Sequence, residues 1–290
     1  MWNETDQRTV LVLGASSWLG YELIQKIASS KYTVVGTVFK STVNFAKGCR
    51  IERLPYSVEA YARCINEIQP DVIINFLRGE DEIGSQIHQL VINFSAQHNS
   101  HYVYASSALA LDGYSNTALT EELKAKSNSP YGQFKANCEQ KLTASVIDYT
   151  ILRFASVQGW VPHKATRNQV LLEKLEKKIP VIVDRGVRQN RILASLLIEG
   201  ICLIIRDKVT GIVHFGSQDD SEEYHFLQAQ AELFGYDKQQ IKAGQERQVN
   251  LVVIPKRMIS LYGDKFVVYE KDTLHGLVQL EGLKKHQHEG

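Results

Sequence analysis

Tyr131 and Lys135 are the residues whose types and spacing point most directly to chemistry. They lie in the run Ser129-Pro130-Tyr131-Gly132-Gln133-Phe134-Lys135. Ser129 followed by Pro130 is a strong helix-start pair, because serine caps the first free amides and proline has no N–H to waste there. On the helix so begun, positions i and i+4 share a face, so the phenol and the ammonium converge. A phenol with its ordinary pKa near 10 is a sluggish acid or base at neutral pH. A neighbouring ammonium favours the phenolate and would bring that pKa down. Two hydroxyls, Ser106 and Ser107, end the run Tyr102-Val-Tyr-Ala-Ser106, with Ser107 standing 24 residues before Tyr131. Ser107 there can hold a carbonyl or alcohol oxygen toward the phenol. An orienting hydroxyl, a proton donor and a cation suit the interconversion of a carbonyl and an alcohol.

A second constellation is the turn Gly14-Ala-Ser16-Ser17-Trp18-Leu19-Gly20. A tight glycine turn opening a helix aims backbone N–H groups and the positive end of the helix dipole at an anion. Gly14 supplies the turn and Gly20 the close helix–strand packing. Ser17 occupies the position where a third glycine would let a pyrophosphate approach the backbone. Ser16, Ser17, Trp18 and Leu19 are the expected contacts of a dinucleotide. The following stretch, Phe39-Lys40-Ser41, carries no acid to hold a ribose diol and one cation to suit a 2′-phosphate, which favours NADP over NAD. No set of cysteines and histidines has metal-ligand spacing, and no metal is expected.

These residues need a frame that brings them together. Val10–Leu13, Tyr32–Phe39, Val72–Leu77, Tyr102–Ser106 and Tyr149–Phe154 read as strands. Trp18–Ala28, Val58–Ile68, Ile87–Gln97 and Pro130–Val146 read as the helices between them. Strand and helix in alternation imply right-handed crossovers and a doubly wound parallel sheet, an α/β Rossmann fold. Ligands then bind beyond the strands' carboxyl ends, after residues 13, 39, 77, 107 and 154. The expected division is a dinucleotide-binding domain over 1–157 and a smaller α/β substrate lobe over 158–290, with room for parts of it to return to the sheet. In that lobe Gln169–Lys178, Ala194–Arg206 and Glu222–Phe234 read as helices and Gly211–Phe215 as a strand. A less regular tail is expected from Ile254, with a frayed end over Lys284–Gly290.

Lys and Arg total 33 against 32 Asp and Glu, a net charge of +1, so no global charge argues for nucleic acid or an anionic membrane. The apolar stretch Ala194–Ile205 is too short to span a bilayer and is broken by Glu199 and Gly200. Four scattered cysteines read as reduced thiols, and the polar, acidic start is not a signal peptide; both suit a cytoplasmic protein.

In order and spacing these motifs resemble the extended short-chain dehydrogenase/reductases, and within them the dTDP-4-dehydrorhamnose reductase branch. The resemblance rests on Gly14–Gly20, on Tyr102–Ser107 followed by Leu111-Asp112-Gly113, on Tyr131–Lys135, and on Ile151-Leu-Arg153-Phe followed by Gly159. It covers residues 8–160. It implies NAD(P)H-dependent reduction of a 4-keto nucleotide sugar, with Ser107 in the hydroxyl role, Tyr131 as acid and Lys135 in support. It also implies Phe76 and Leu77 beside the cofactor, and Ser106, Ala108, Arg78, Arg153 and Arg191 toward the substrate, with Arg188 a further candidate for its diphosphate. Homodimers occur in the family. Two departures stand out. Ala108-Leu109 replaces a polar Asp-Tyr pair that helps to hold the sugar, and bulky Phe76-Leu77 stands where small residues let the cofactor pass. Two other readings fit the same motifs: a nucleotide-sugar epimerase or dehydratase, and a non-catalytic dinucleotide-binding regulator, such as the related regulatory subunit of methionine adenosyltransferase.

Overall fold

The computed structural model describes residues 7–28, 31–114 and 117–288, and the side chains through residue 280. The first half runs β1 (Thr9–Leu13), α1 (Trp18–Ile27), β2 (Thr33–Val38), β3 (Cys49–Arg53), α2 (Val58–Ile68), β4 (Val72–Asn75), α3 (Glu82–His98), β5 (His101–Ala105), α4 (Pro130–Thr143) and β6 (Tyr149–Phe154). The second runs β7 (Ser156–Gln158), α5 (Arg167–Glu176), β8 (Val181–Gln189), β9 (Arg191–Leu193), α6 (Ala194–Asp207), β10 (Gly211–Phe215), β11 (Ser221–Glu222), α7 (Glu223–Leu233), β12 (Ile241–Leu251), α8 (Lys256–Tyr262) and α9 (Glu270–His288).

Seven strands form one parallel sheet in the order β10-β6-β5-β4-β1-β2-β3. The apolar runs of β1 and β4 lie in its interior because both of their faces are covered. On one face Leu23 and Ile24 of α1 and Leu197, Ile198 and Ile201 of α6 pack with Val10, Val12 and Ile74. On the other, Tyr61 and Ile65 of α2, Val91 of α3 and Leu142 of α4 pack with Leu11, Leu13 and Ile73. From β1 the chain winds outward to β2 and β3, then crosses back to β4 on β1's other side. That reversal opens a crevice beyond Leu13 and Asn75, where such a sheet binds ligands.

The second half of the chain serves both parts of the molecule. Helix α6 presents Leu197, Ile198, Ile201, Ile204 and Ile205 as one buried stripe and so returns to the large sheet, carrying β10 to its edge. The remainder builds the small sheet β11-β8-β12 against α5 and α7, around Leu171, Leu175, Ala231 and Ile241. The tail is more regular than the sequence suggests. It forms α8 and α9, and helix runs through the expected frayed end as far as His288. Met258 and Phe266 hold it against the sheet core. Among the described residues no helix is long and apolar enough to cross a membrane, and no cluster of three metal-ligating side chains occurs.

Candidate active site

Gly14 makes the first turn possible. Its φ of +77° is a left-handed conformation, and a Cβ there would sit 2.9 Å from the Phe76 carbonyl carbon. The ends of β1 and β4 therefore lie side by side, joined by the Phe76 amide donating to the Leu13 carbonyl at 2.9 Å. Ser17 caps α1, its hydroxyl accepting from the Gly20 amide at 3.1 Å. The first amides of the helix, those of Trp18 and Leu19, have no acceptor within it, as at any helix start. The Ser17 hydroxyl is thus already engaged as a cap, and the groups open to an anion are backbone amides.

Two hollows open from this turn. The first, of about 460 Å³, is bordered by Ser17, Trp18 and Leu19 on one side and Tyr131, Lys135, Ala105 and Ser106 on the other. The second, of about 370 Å³, is bordered by Gly14, Ser16 and Ser17, by Thr37 and Phe39 at the end of β2, and by Tyr56 and Asp81. They meet at Ser17, Phe76, Leu77, Arg78 and Lys164. Phe76 does not plug the crevice. It is buried, its ring packing into the sheet core with Ala15 and Ile74, and the cleft beside it stays open.

A buried polar chain fixes this corner. The Leu77 amide donates to the Asn75 side-chain oxygen at 3.0 Å, and the Asn75 amide group donates to the Tyr102 hydroxyl at 2.9 Å. His88 Nε2 faces the Cys138 carbonyl at 2.9 Å and must carry the ring proton. Burial lowers the His88 pKa to about 4, so the ring is neutral and Nδ1 accepts from Tyr102 at 2.8 Å. Every member is satisfied in one direction. The end of β4 is thereby tied to α4, the helix that carries Tyr131 and Lys135.

On α4, Ser129 accepts from the Gly132 amide at 3.2 Å with Pro130 in the first turn, so the helix starts where the sequence placed it. Lys135 is almost wholly buried. Its ammonium donates to the Ala105 carbonyl at 3.0 Å and lies 5.7 Å from the centre of the Tyr131 ring. Burial lowers its pKa. The phenol behaves differently from the expectation of a lowered pKa. Burial raises it first and the Glu80 carboxylate adds to the rise, while Arg78, the Ser107 hydroxyl and Arg167 oppose it. Tyr131 therefore holds its proton at neutral pH, which suits a donor. Ser107 heads a short 3-10 turn, its hydroxyl accepting from the Leu109 amide at 3.2 Å.

Several expected contacts lie elsewhere. Arg153 is fully buried and clasps Glu139 of α4, its Nη2 2.6 Å from a carboxylate oxygen; it packs behind the cleft and cannot reach a substrate. Arg191 is likewise buried, paired with Glu223 at 2.9 Å and with Glu270, and stacked on Phe226. Arg188 pairs with Asp220. Ala108 is fully buried with Leu111, Leu119 and Val253. Ser106 borders the cleft, but its hydroxyl is spent on Glu139 at 2.5 Å. Lys40 lies over the Phe39 ring at 4.8 Å, beyond the wall of the second hollow, and the Ser41 carbonyl accepts from Arg53 at 3.1 Å. Of the four arginines expected to meet substrate, the cleft receives Arg78 alone. It also receives residues that the sequence did not single out: Glu80, Lys164, Thr166 and Arg167. A signal for the last two was present. Thr166-Arg-Asn-Gln169 is a capping box, and it starts α5 at Arg167 rather than Gln169.

A seven-stranded parallel sheet with its crevice at the strand reversal is a Rossmann-type nucleotide-binding fold. Within that class the chain belongs to the RmlD substrate binding domain family, whose model matches residues 8–253. No curated protein matches it in sequence. Among solved structures it is similar to dTDP-4-dehydrorhamnose reductase from Yersinia enterocolitica, with TM-score 0.77 and 17% identity over 94% of this chain and 99% of that one. It is similar also to the Bacillus anthracis dTDP-4-dehydrorhamnose reductase in complex with NADP, with TM-score 0.76 and 15% identity over 95% of this chain and 99% of that one. UDP-glucose 4-epimerase of Thermus thermophilus in complex with NAD gives TM-score 0.78 and 17% identity over 94% and 98%. At these identities the likeness is one of fold.

Proposed function

We propose that the protein is an NAD(P)H-dependent reductase of the short-chain dehydrogenase/reductase type, acting on the carbonyl of a nucleotide sugar of the 4-keto-6-deoxy kind. The observation that carries the reading is that Tyr131 and Lys135 border the same hollow as the Ser17–Leu19 end of the glycine turn. The residues fit a dinucleotide: the two hollows join at that turn, Gly14 and Gly20 put no side chain at its two ends, and α1 opens onto it. Gly14, Ser16, Ser17, Trp18, Leu19 and Phe39 would hold it, with Phe76 and Leu77 as its apolar floor. When bound, the nicotinamide supplies the hydride.

The chain's own groups supply the rest. Tyr131, protonated at neutral pH, donates its proton to the substrate oxygen as negative charge grows there. The Lys135 ammonium, held against the Ala105 carbonyl, stabilises the phenolate left behind. Ser107 orients the oxygen toward the phenol. NADP is favoured over NAD because the stretch that follows β2 carries no acid. Free thiols at all four cysteines suit the cytoplasm.

The test is a titration of the full chain with NADPH and NADH by nucleotide fluorescence, followed by assay of oxidation with dTDP-4-keto sugars. Tyr131→Phe should lower turnover by about 10²- to 10⁴-fold and leave dinucleotide affinity nearly unchanged. Turnover that survives this change would remove Tyr131 from the acid role. Binding without turnover on any keto sugar would favour the regulatory reading.

A further inference from the structure

The proton transfer uses Tyr131, Lys135 and Ser107 and leaves two cations at the waist of the cleft without a task. Arg78 follows β4, on the sheet side. Lys164 comes from the segment between β7 and α5, which lies against the glycine turn, the neighbouring His163 Nε2 facing the Ser16 carbonyl at 3.1 Å. Each borders both hollows, and the other residues at the waist are Ser17, Phe76 and Leu77, none of which is acidic. Among the described residues neither cation forms an ion pair. Both are exposed at the rim. Desolvation and then the charge of Arg78 lower the Lys164 pKa, so the two feel each other across the gap.

Two like charges facing each other over an open cleft repel in the free protein. An anion seated between them reverses the sign of the interaction and draws the walls together. A dinucleotide that fills both hollows carries its only diphosphate at its middle, where the hollows join. Ser17 meets that point too, and its side chain limits the backbone approach that a glycine would allow.

We propose that Arg78 and Lys164 form a two-sided clamp on the pyrophosphate of the bound dinucleotide, supplying from both walls the anion contacts that Ser17 restricts at the turn. The proposal rests on the reductase reading only in requiring that a nicotinamide dinucleotide binds. A substrate's diphosphate has the same chemistry. It would lie toward Tyr131, however, whereas both cations also border the hollow of Gly14, Thr37 and Phe39.

The experiment is a fluorescence titration of NADPH against the full-length wild type, Arg78→Ala, Lys164→Ala and the double variant, at about 50 mM and about 300 mM KCl. A parallel calorimetric titration uses dTDP. Circular dichroism checks each fold, which two rim residues should not disturb. Each single change should weaken NADPH by about five- to tenfold at low salt, and the double variant should lose most of the wild type's salt dependence. The dTDP affinity should stay unchanged. Unaltered NADPH affinity in Lys164→Ala overturns the clamp, and so does a loss confined to dTDP, which would assign the cations to the substrate. A wild type that binds neither NADPH nor NADH overturns the dinucleotide reading and the clamp with it.

Discussion

Two regions of this molecule hold charge in opposite ways. Behind the cleft Arg153, Glu139 and Ser106 close on one another in the dry interior, with Arg153 also donating to the Leu123 carbonyl at 3.0 Å. At the rim Arg78, Lys164 and Arg167 border open space. An ion taken out of water must find its partners within the protein, whereas an ion at a wet rim remains available to a ligand. Position, and not residue type, therefore separates an arginine that builds the site from one that can bind at it.

Acid tests the interior most severely. Burial lowers the pKa of His88 and His101 to about 4 and that of His214 to about 3. The unfolded chain protonates such histidines below about pH 6.5, and the folded chain does not until much lower pH. Stability should be complete above pH 6.5 and fall as pH drops toward 4, by on the order of 3 kcal/mol for each histidine. Urea unfolding followed across that range measures the slope. A flat profile from pH 7 to pH 4.5 would mean that these rings gain protons freely in the fold.

The next effect isolates the buried pair. Arg153→Met leaves Glu139 as an unpaired buried carboxylate and should cost about 3–5 kcal/mol. Adding Glu139→Leu should recover much of that loss, because the desolvated charge goes with it. If the double variant is as unstable as the single one, the pair acts through packing and not through charge. The smallest effect belongs to the rim. Arg167→Ala should change stability by no more than about 0.5 kcal/mol. Removing a cation that favours the Tyr131 phenolate should raise the phenol's pKa and move the alkaline limit of activity upward. A large stability loss there would show that Arg167 belongs with the interior set.

Three strands that sequence reading missed, β3, β8 and β12, carry charged residues along their length. β3 reads Cys-Arg-Ile-Glu-Arg and lies at the sheet's edge, so it needs no apolar run. β8 and β12 hold only one inward face each, and charges such as Asp184, Arg185, Glu246 and Arg247 interrupt the alternation. Irregular register between Ala243 and Val249 breaks it further. By contrast Ser129-Pro130 marked the start of α4 to the residue, because capping is local chemistry.

What the sequence alone determined was whatever depends on neighbours along the chain: the parallel sheet's rhythm of buried strands and amphipathic helices, the glycine turn that opens α1, and the phenol and ammonium one helical turn apart. Only the tertiary structure decided which charges meet solvent and which meet each other. Arg78 and Arg153 are the same residue type near the carboxyl ends of β4 and β6, yet one borders the cleft and the other is sealed against Glu139. The reason is that burial is a property of the whole packing, and the energy of a charge depends on burial more than on any motif around it.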